Sequence, residues 1–372
     1  MATAVSDGDL GHTRDVGRVT LQTVADKVGV SRMTVSNAFS RPDQLSDELR
    51  KKILAAAEEL GYWGPDPSGR ALARGRTGAV GVMLTDDLTY AFTDQYATDL
   101  MASISSELAP TGVALTLLTA TSPSASLPAR DVPLDGAMVL ACSDSSESID
   151  WLRRRKLPMV FVDQEPIDDV TSVNIDETGG ARAAADHIVE LGHRCVAVIT
   201  THQLAPAGSL AIAALADATR TTRTRTMGWI DALAEHGIVP EVVNAVRPNI
   251  EAGAVAGRQL LDRDGDRPTA VICFSDTLAA GVLRTARQLG IDVPGELSVV
   301  GFDDMQLAAS TTPPLTTVHQ DVEGKGRTAA SLLKQLIDNK IAGEELEPQH
   351  VLLPTHLVVR GSTGPAPTAT AR

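Results

Sequence analysis

The sequence predicts an α/β protein with a separate all-helical module at its N-terminus, on three observations. Residues 20–60 repeat apolar side chains at helical spacing in three short blocks. From Thr77 onward, apolar runs of strand length alternate with amphipathic helical stretches, as in parallel sheets covered by helices on both faces. Charge divides the chain at the same place. Residues 18–77 hold ten Lys/Arg against seven Asp/Glu, a net of +3, whereas the 372-residue chain as a whole carries −14. The remainder therefore carries −17, and a basic module beside an acidic body points to a partner of its own for each.

Residues 1–17 show no hydrophobic periodicity and are expected to be a disordered lead. Thr20 can cap a first helix with Leu21, Val24, Ala25 and Val28 on one face, ended by Gly29. Ser31 caps a second helix, whose apolar face is Val35, Ala38 and Phe39. Ser46 caps a third, running through Ile53, Leu54, Ala57 and Leu60 to Gly61. The GPDPSG stretch at 64–69 breaks regular structure, and RALARGR at 70–76 is a short basic segment. Strand-like runs follow at 79–84, 113–118, 136–141, 158–162, 195–199, 269–274 and 297–301. Helical stretches lie among them at 93–108, 177–191, 226–236, 277–289 and 326–338. Some 280 residues exceed one comfortable sheet, so two lobes are expected. Residues 201–224 are Ala/Thr-rich and fit no element, and 361–372 read as a disordered tail.

Composition excludes several classes. The longest apolar stretches, such as Ala79–Leu84, fall far short of the ~20 residues of a membrane span. Residues 1–18 contain acidic side chains and no apolar core, so no secretory signal is read there. Cys142, Cys195 and Cys273 lie far apart, which suits small core residues in a reducing cytoplasm. There is no G-x-S-x-G, H-E-x-x-H or G-x-x-x-x-G-K-[ST], and the eight histidines do not cluster at ligand spacing. No catalytic residue, metal site or cofactor is expected.

TLQTVADKVGVSRMTVSNAF (20–39) has the helix-turn-helix pattern. Ala25 is small where the second helix crosses the first, Gly29 makes the turn, and Val30 and Val35 fill the space between them. The second helix then presents Arg32, Met33, Thr34 and Asn37 outward, toward a DNA major groove. Arginine can fork onto guanine and asparagine onto adenine, while Met33 offers only apolar contact. Thr20, Ser31, Thr34 and Ser36 are candidate phosphate contacts.

VTLQTVADKVGVSRMTVSNAFSRPDQLSDELRKKILAAAEELGY (19–62) resembles the DNA-binding domain of lactose-repressor (LacI) family transcription regulators. The likeness continues through ALARGRTGAVGVML (71–84). It implies a helix-turn-helix domain at 18–63 and a hinge at 64–76, in which residues 67–74 become helical on operator DNA. Leu72 matches the leucine that wedges into the minor groove, with Arg70 and Arg74 near phosphates. Two glycines and Trp63 around the hinge depart from the family pattern and weaken hinge-helix formation.

PMVFVDQ (158–164), DETGGARAAADHIVELGH (176–193), RTMGW (225–229), FSDTLAAGVLRTARQLGIDVPGELSVVGFDD (274–304) and PLTTVHQD (314–321) stand in the family's order. They imply a two-lobed, doubly wound α/β core like that of periplasmic sugar-binding proteins, with a small-molecule effector between the lobes. The lobes are expected at 77–175 with 322–349, and at 176–321 with 350–360. Asp163, Asp276 and Asp303 fall at strand ends, where carboxylates can accept bonds from vicinal hydroxyls. Arg225 resembles the family's effector-contacting arginine, and Ser275 stands where relatives carry asparagine. Tyr90 and Phe92 are the candidate stacking aromatics. The implied partners are operator DNA, a second copy of the chain in a homodimer, and an effector that is a sugar or, alternatively, a nucleobase or other metabolite acting as corepressor.

Overall fold

The computed structural model describes residues 19–66, 69–71, 75–84, 88–120, 127–140, 146–263 and 266–367. They form two compact units, one through Thr77 and one from Gly78. The expected lead at 1–17 lies outside the described residues.

The first unit is three helices, α1 (Leu21–Val28), α2 (Arg32–Ser40) and α3 (Asp47–Glu59). Each begins on the predicted hydroxyl cap: Thr20, Ser31 and Ser46 accept the backbone N–H three residues on. Gly29 ends α1 in the left-handed region at φ 78°, a conformation that costs a residue with Cβ ~1–2 kcal/mol. That turn lets α2 cross α1 at Ala25, and Val24, Ala25, Val35, Ala38, Ile53 and Ala57 close a small core. Phe39 meets Tyr62 edge to face at 5.8 Å and seals its rim.

The second unit is two parallel-sheet lobes. Lobe 1 holds β1 (Ala79–Leu84), α4 (Gln95–Leu108), β2 (Ala114–Thr119), β3 (Gly136–Leu140), α5 (Glu147–Arg154), β4 (Met159–Val162) and β5 (Thr171–Ile175). Lobe 2 holds α6 (Glu177–Glu190), β6 (Val196–Thr200), β7 (Gly208–Ser209), α7 (Arg220–Glu235), β8 (Glu241–Asn244) and α8 (Ile250–Leu261). It continues with β9 (Ala270–Cys273), α9 (Asp276–Gln288), β10 (Ser298–Asp303) and β11 (Thr316–Gln320). The chain then returns to lobe 1 with α10 (Val322–Ala342) and β12 (His350–Leu353), and to lobe 2 with β13 (Thr355–Val358). The sheet orders are β12-β5-β4-β3-β1-β2 and β13-β11-β10-β9-β6-β8-β7. Only β13 and β7, at the edges of the second sheet, run antiparallel to their neighbours.

Every predicted strand run contains a strand; the buried parallel ones read as continuous apolar stretches, and β2, half-exposed at its sheet edge, keeps an apolar run as well. The three chain crossings between lobes come at Asp176, Asp321 and Pro354. The third lobe boundary therefore differs from the expected 349/350. β12 pairs with β5, Val351 against Val173, so 350–353 belong to lobe 1. Among the described residues no helix is long and apolar enough to cross a membrane.

Two further expectations are corrected. Residues 361–367 are an ordered strap on lobe 2, not a disordered tail; 368–372 lie outside the described residues. Ser362 is wholly buried. Its hydroxyl donates to Val299 O at 2.6 Å and accepts Thr316 N–H at 2.8 Å. Ala366 N–H reaches Leu191 O at 2.8 Å. His193, buried beneath the strap, bonds Thr269, Ser298 and Gly364 O, and burial lowers its pKa below the ordinary value. Of the cysteines, Cys273 is buried as expected, Cys195 is exposed, and Cys142 lies outside the described residues.

Candidate functional site

In the helical unit, Arg32 and Met33 open α2 and stand exposed, Met33 at 69%. Thr34, Ser36 and Asn37 are half-buried on the same helix. The Thr20 and Ser31 hydroxyls are engaged in capping, and Ser31 also shares a 2.8 Å hydrogen bond with Thr34. Asn37 is tied to Gln44, a residue that sequence reasoning did not single out. Residues 69–71 are helical, with Arg70 exposed. Leu72 and Arg74 lie outside the described residues.

In the two-lobed unit, parallel strands deliver polar side chains at their carboxyl ends, facing the space between the lobes. Asp163 follows β4 and Asp303 ends β10; both hold positive φ, 54° and 108°. Asp304 follows at φ 56°. Such backbone is uncommon for residues with Cβ and costs ~1–3 kcal/mol each, so surrounding bonds must hold it.

The bonds that hold it form one chain of groups. Lys325, on the first turn of α10, is wholly buried. Its ammonium donates to both Asp163 oxygens at 2.8 and 2.9 Å, to Tyr96 Oη at 3.0 Å and to Gln320 Oε1 at 2.6 Å. Tyr96 also donates to Asp163. From the other end of its carboxamide, Gln320 Nε2 donates to Asp303 Oδ1 at 2.6 Å. Asp303 meets Arg225 Nη1 at 3.3 Å. Arg225 is gripped by both Glu177 oxygens at 2.7 and 3.1 Å and by Phe274 O at 2.6 Å. Its guanidinium lies 3.5 Å over the Phe302 ring. Gln320, at the end of β11, thus links lobe 1 charges to those of lobe 2.

Electrostatics follow from this burial. Burial pushes Asp303 up to about 7, against the pull of Arg225. Burial alone would lower Arg225, but Glu177 and Asp303 outweigh it, and its pKa rises above the ordinary value.

Asp276 and Ser275 are placed differently from expectation. Ser275 caps α9, accepting Leu278 N–H at 3.3 Å. Asp276 is wholly buried under β10, beside Gly301, where a Cβ would stand 2.3 Å from its Oδ1. It accepts Thr317 Oγ1–H at 2.5 Å and Met305 N–H at 2.7 Å. Burial, then the Asp303 charge, raise its pKa well above the carboxylate range. It fastens the loop carrying Asp303 and Asp304. Phe92 is 71% exposed, away from the buried cluster, and the Tyr90 side chain is outside the description. Tyr96, Phe274 and Phe302 are the aromatics that the cluster contains.

The unplaced stretch 201–224 organises the cleft's other wall. Asn244 faces the carbonyls of His202, Ala205 and Pro206 and accepts His202 N–H, which turns the chain toward α7. The start of α7 then crosses to lobe 1. Arg223 pairs with Glu165 at 3.1 Å, and Thr221 Oγ1 lies 3.5 Å from Asp163 O.

Tyr96, Glu177, Gln320 and Lys325 were missed. Lys325 carried a signal: it sits on the face defined by Val322, Ala329 and Leu333, where a lysine needs a buried partner.

A helical module of this kind joined to a two-lobed cleft defines a DNA-binding regulator with a ligand-sensing core. Residues 20–64 match the bacterial regulatory proteins of the lacI family, and 185–363 match the periplasmic binding protein-like domain. A transcriptional regulator of helix-turn-helix type from Mycolicibacterium smegmatis is 36% identical over 85% of this chain and 90% of its own. The solved CelR–cellobiose complex is similar at TM-score 0.64 and 29% identity, covering 93% of this chain and all of that one. The lac repressor dimer bound to operator and the anti-inducer ONPF is similar at TM-score 0.72 and 26% identity, covering 93% and 99%. The chain belongs to the lacI family of transcriptional regulators, which are not enzymes.

Proposed function

We propose that the chain is a cytoplasmic repressor that acts as a homodimer and releases or grips its operator in response to an uncharged sugar. Arg32, Met33 and Asn37 read base edges in each half-site, with Thr20, Ser31, Thr34, Ser36, Arg70 and Arg74 on the backbone and Leu72 as the central wedge. Asp163, Arg225 and Asp303 hold the effector, with Tyr96, Gln320 and Lys325 beside them.

One observation carries the effector class. Both buried cations of the cleft are already paired with the protein's own carboxylates, Lys325 with Asp163 and Arg225 with Glu177 and Asp303. A phosphorylated ligand would have to break those pairs, whereas hydroxyls can join them. The cellobiose named in the CelR complex is a ligand of this kind.

The test is binding of the full chain to its upstream DNA, alone and with a panel of neutral sugars, sugar phosphates and nucleobases. A neutral sugar should shift operator affinity roughly 5- to 150-fold. Response to a sugar phosphate or nucleobase alone would overturn the effector reading. Leu72→Ala should weaken operator binding more than binding to unrelated duplex.

A further inference from the structure

The described backbone folds back on itself after α2 through two bonds. Arg41 N–H donates to Asn37 O at 2.8 Å, and Gln44 N–H to Arg41 O at 3.1 Å. This short turn, Pro42–Gln44, brings Gln44 alongside Asn37, and Asn37 Nδ2 donates to Gln44 Oε1 at 3.1 Å. Gln44 itself is exposed.

A carboxamide nitrogen has two hydrogens and its oxygen only accepts. With one Nδ2 hydrogen held by Gln44, Asn37 has one donor and one acceptor left to present. That is the complement of adenine in the major groove, where N7 accepts and the N6 amine donates. Guanine shows two acceptors there, N7 and O6, and satisfying both would need both Nδ2 hydrogens.

We propose that Gln44 is a specificity-determining residue that orients the Asn37 carboxamide so that the half-site carries adenine, and not guanine, opposite it. This rests on Asn37 reading bases. Gln44 acts through Asn37, so it is a positioning residue. Its own Nε2 remains available to the DNA backbone.

The experiment is selection from a randomised duplex library with the full chain, comparing wild type, Asn37→Ala, Gln44→Leu and Gln44→Glu. Wild type should enrich a half-site with one position where adenine exceeds guanine by about ten-fold, the scale of a good bidentate contact. Asn37→Ala should erase that preference and keep the rest of the half-site. Gln44→Leu should keep the register but lower the adenine-to-guanine ratio several-fold at that position alone. Gln44→Glu keeps the acceptor and should retain the ratio at reduced overall affinity. An unchanged ratio in Gln44→Leu, or loss of the ratio in Gln44→Glu, overturns the inference while leaving the regulator standing. A wild-type chain that enriches no sequence overturns both.

Discussion

Lys325 and Asp163 form an ion pair with less than a tenth of either side chain exposed, both nitrogen–oxygen distances being below 3 Å. Removing one member strands a buried charge. Lys325→Met should cost about 3–5 kcal/mol of unfolding free energy. Combining it with Asp163→Leu should recover more than half of that loss. Urea denaturation checks both; a single variant within about 1 kcal/mol of wild type would show that Asp163 is hydrated in place.

Asp303 gives the core a pH dependence of defined sign. Its folded pKa, about 7, lies above that of an unfolded aspartate, so the folded chain holds the proton more tightly. The stability this confers is complete below about pH 4 and is lost as pH rises toward 7. Asp303→Asn should flatten the slope of melting temperature against pH across that window. Some slope should remain, because Asp276 is raised as well. An unaltered slope would mean that Asp303 is ionised throughout.

The Arg223–Glu165 contact joins the lobes at a half-exposed surface, so it is worth only about 0.2–1 kcal/mol. That is enough to shift an open–closed population up to about five-fold. Glu165→Lys should enlarge the radius of gyration measured by X-ray scattering at low salt. The exchange Glu165→Arg with Arg223→Glu should restore the wild-type value. If the single reversal leaves the scattering unchanged, the pair does not hold the lobes together.

Truncation before Gly361 would strip partners from Val299, Thr316 and His193. Each buried group left unpaired costs about 1–3 kcal/mol. A calorimetric scan should show the transition of the two-lobed unit lowered by many degrees, with that of the helical unit unmoved.

The legible parts of the fold were those built by local rules. Caps at Thr20, Ser31 and Ser46 and the Gly29 turn are settled within a few residues, and buried parallel strands announce themselves as apolar runs. β12 and β13 were not legible, because the half-exposed edge strands His350–Leu353 and Thr355–Val358 hold apolar runs of only three residues or so, split by Pro354. The strap at 361–367 was misread from composition. Gly and Ser are frequent in disordered tails, yet they are also what fits against β10 and β11 when a backbone must lie flush. In the cleft, Asp163, Arg225 and Asp303 stand out in the sequence through their places at strand ends and in the family pattern. Their partners come from a crossing, Glu177, and from the end of β11 and the start of α10, Gln320 and Lys325, more than a hundred residues further on. Only folding brings Glu177 to this group, whereas Lys325 is announced by its place on the apolar face of α10. Asp276 resembles a ligand residue by position, and the fold sets its carboxylate against Thr317 Oγ1 and Met305 N–H.

The placement of β12 and β13 has a consequence for biosynthesis. Each lobe receives an edge strand from residues 350–358, far along the chain from the strands it joins, β12 for one sheet and β13 for the other, and the strap follows. On a ribosome that emits the chain from its N-terminus, neither sheet can be completed until residues 350–358 have emerged. The helical unit, which ends by Thr77, closes a core drawn from residues 19–62. The DNA-reading part is therefore finished before either sheet of the sensing part can close.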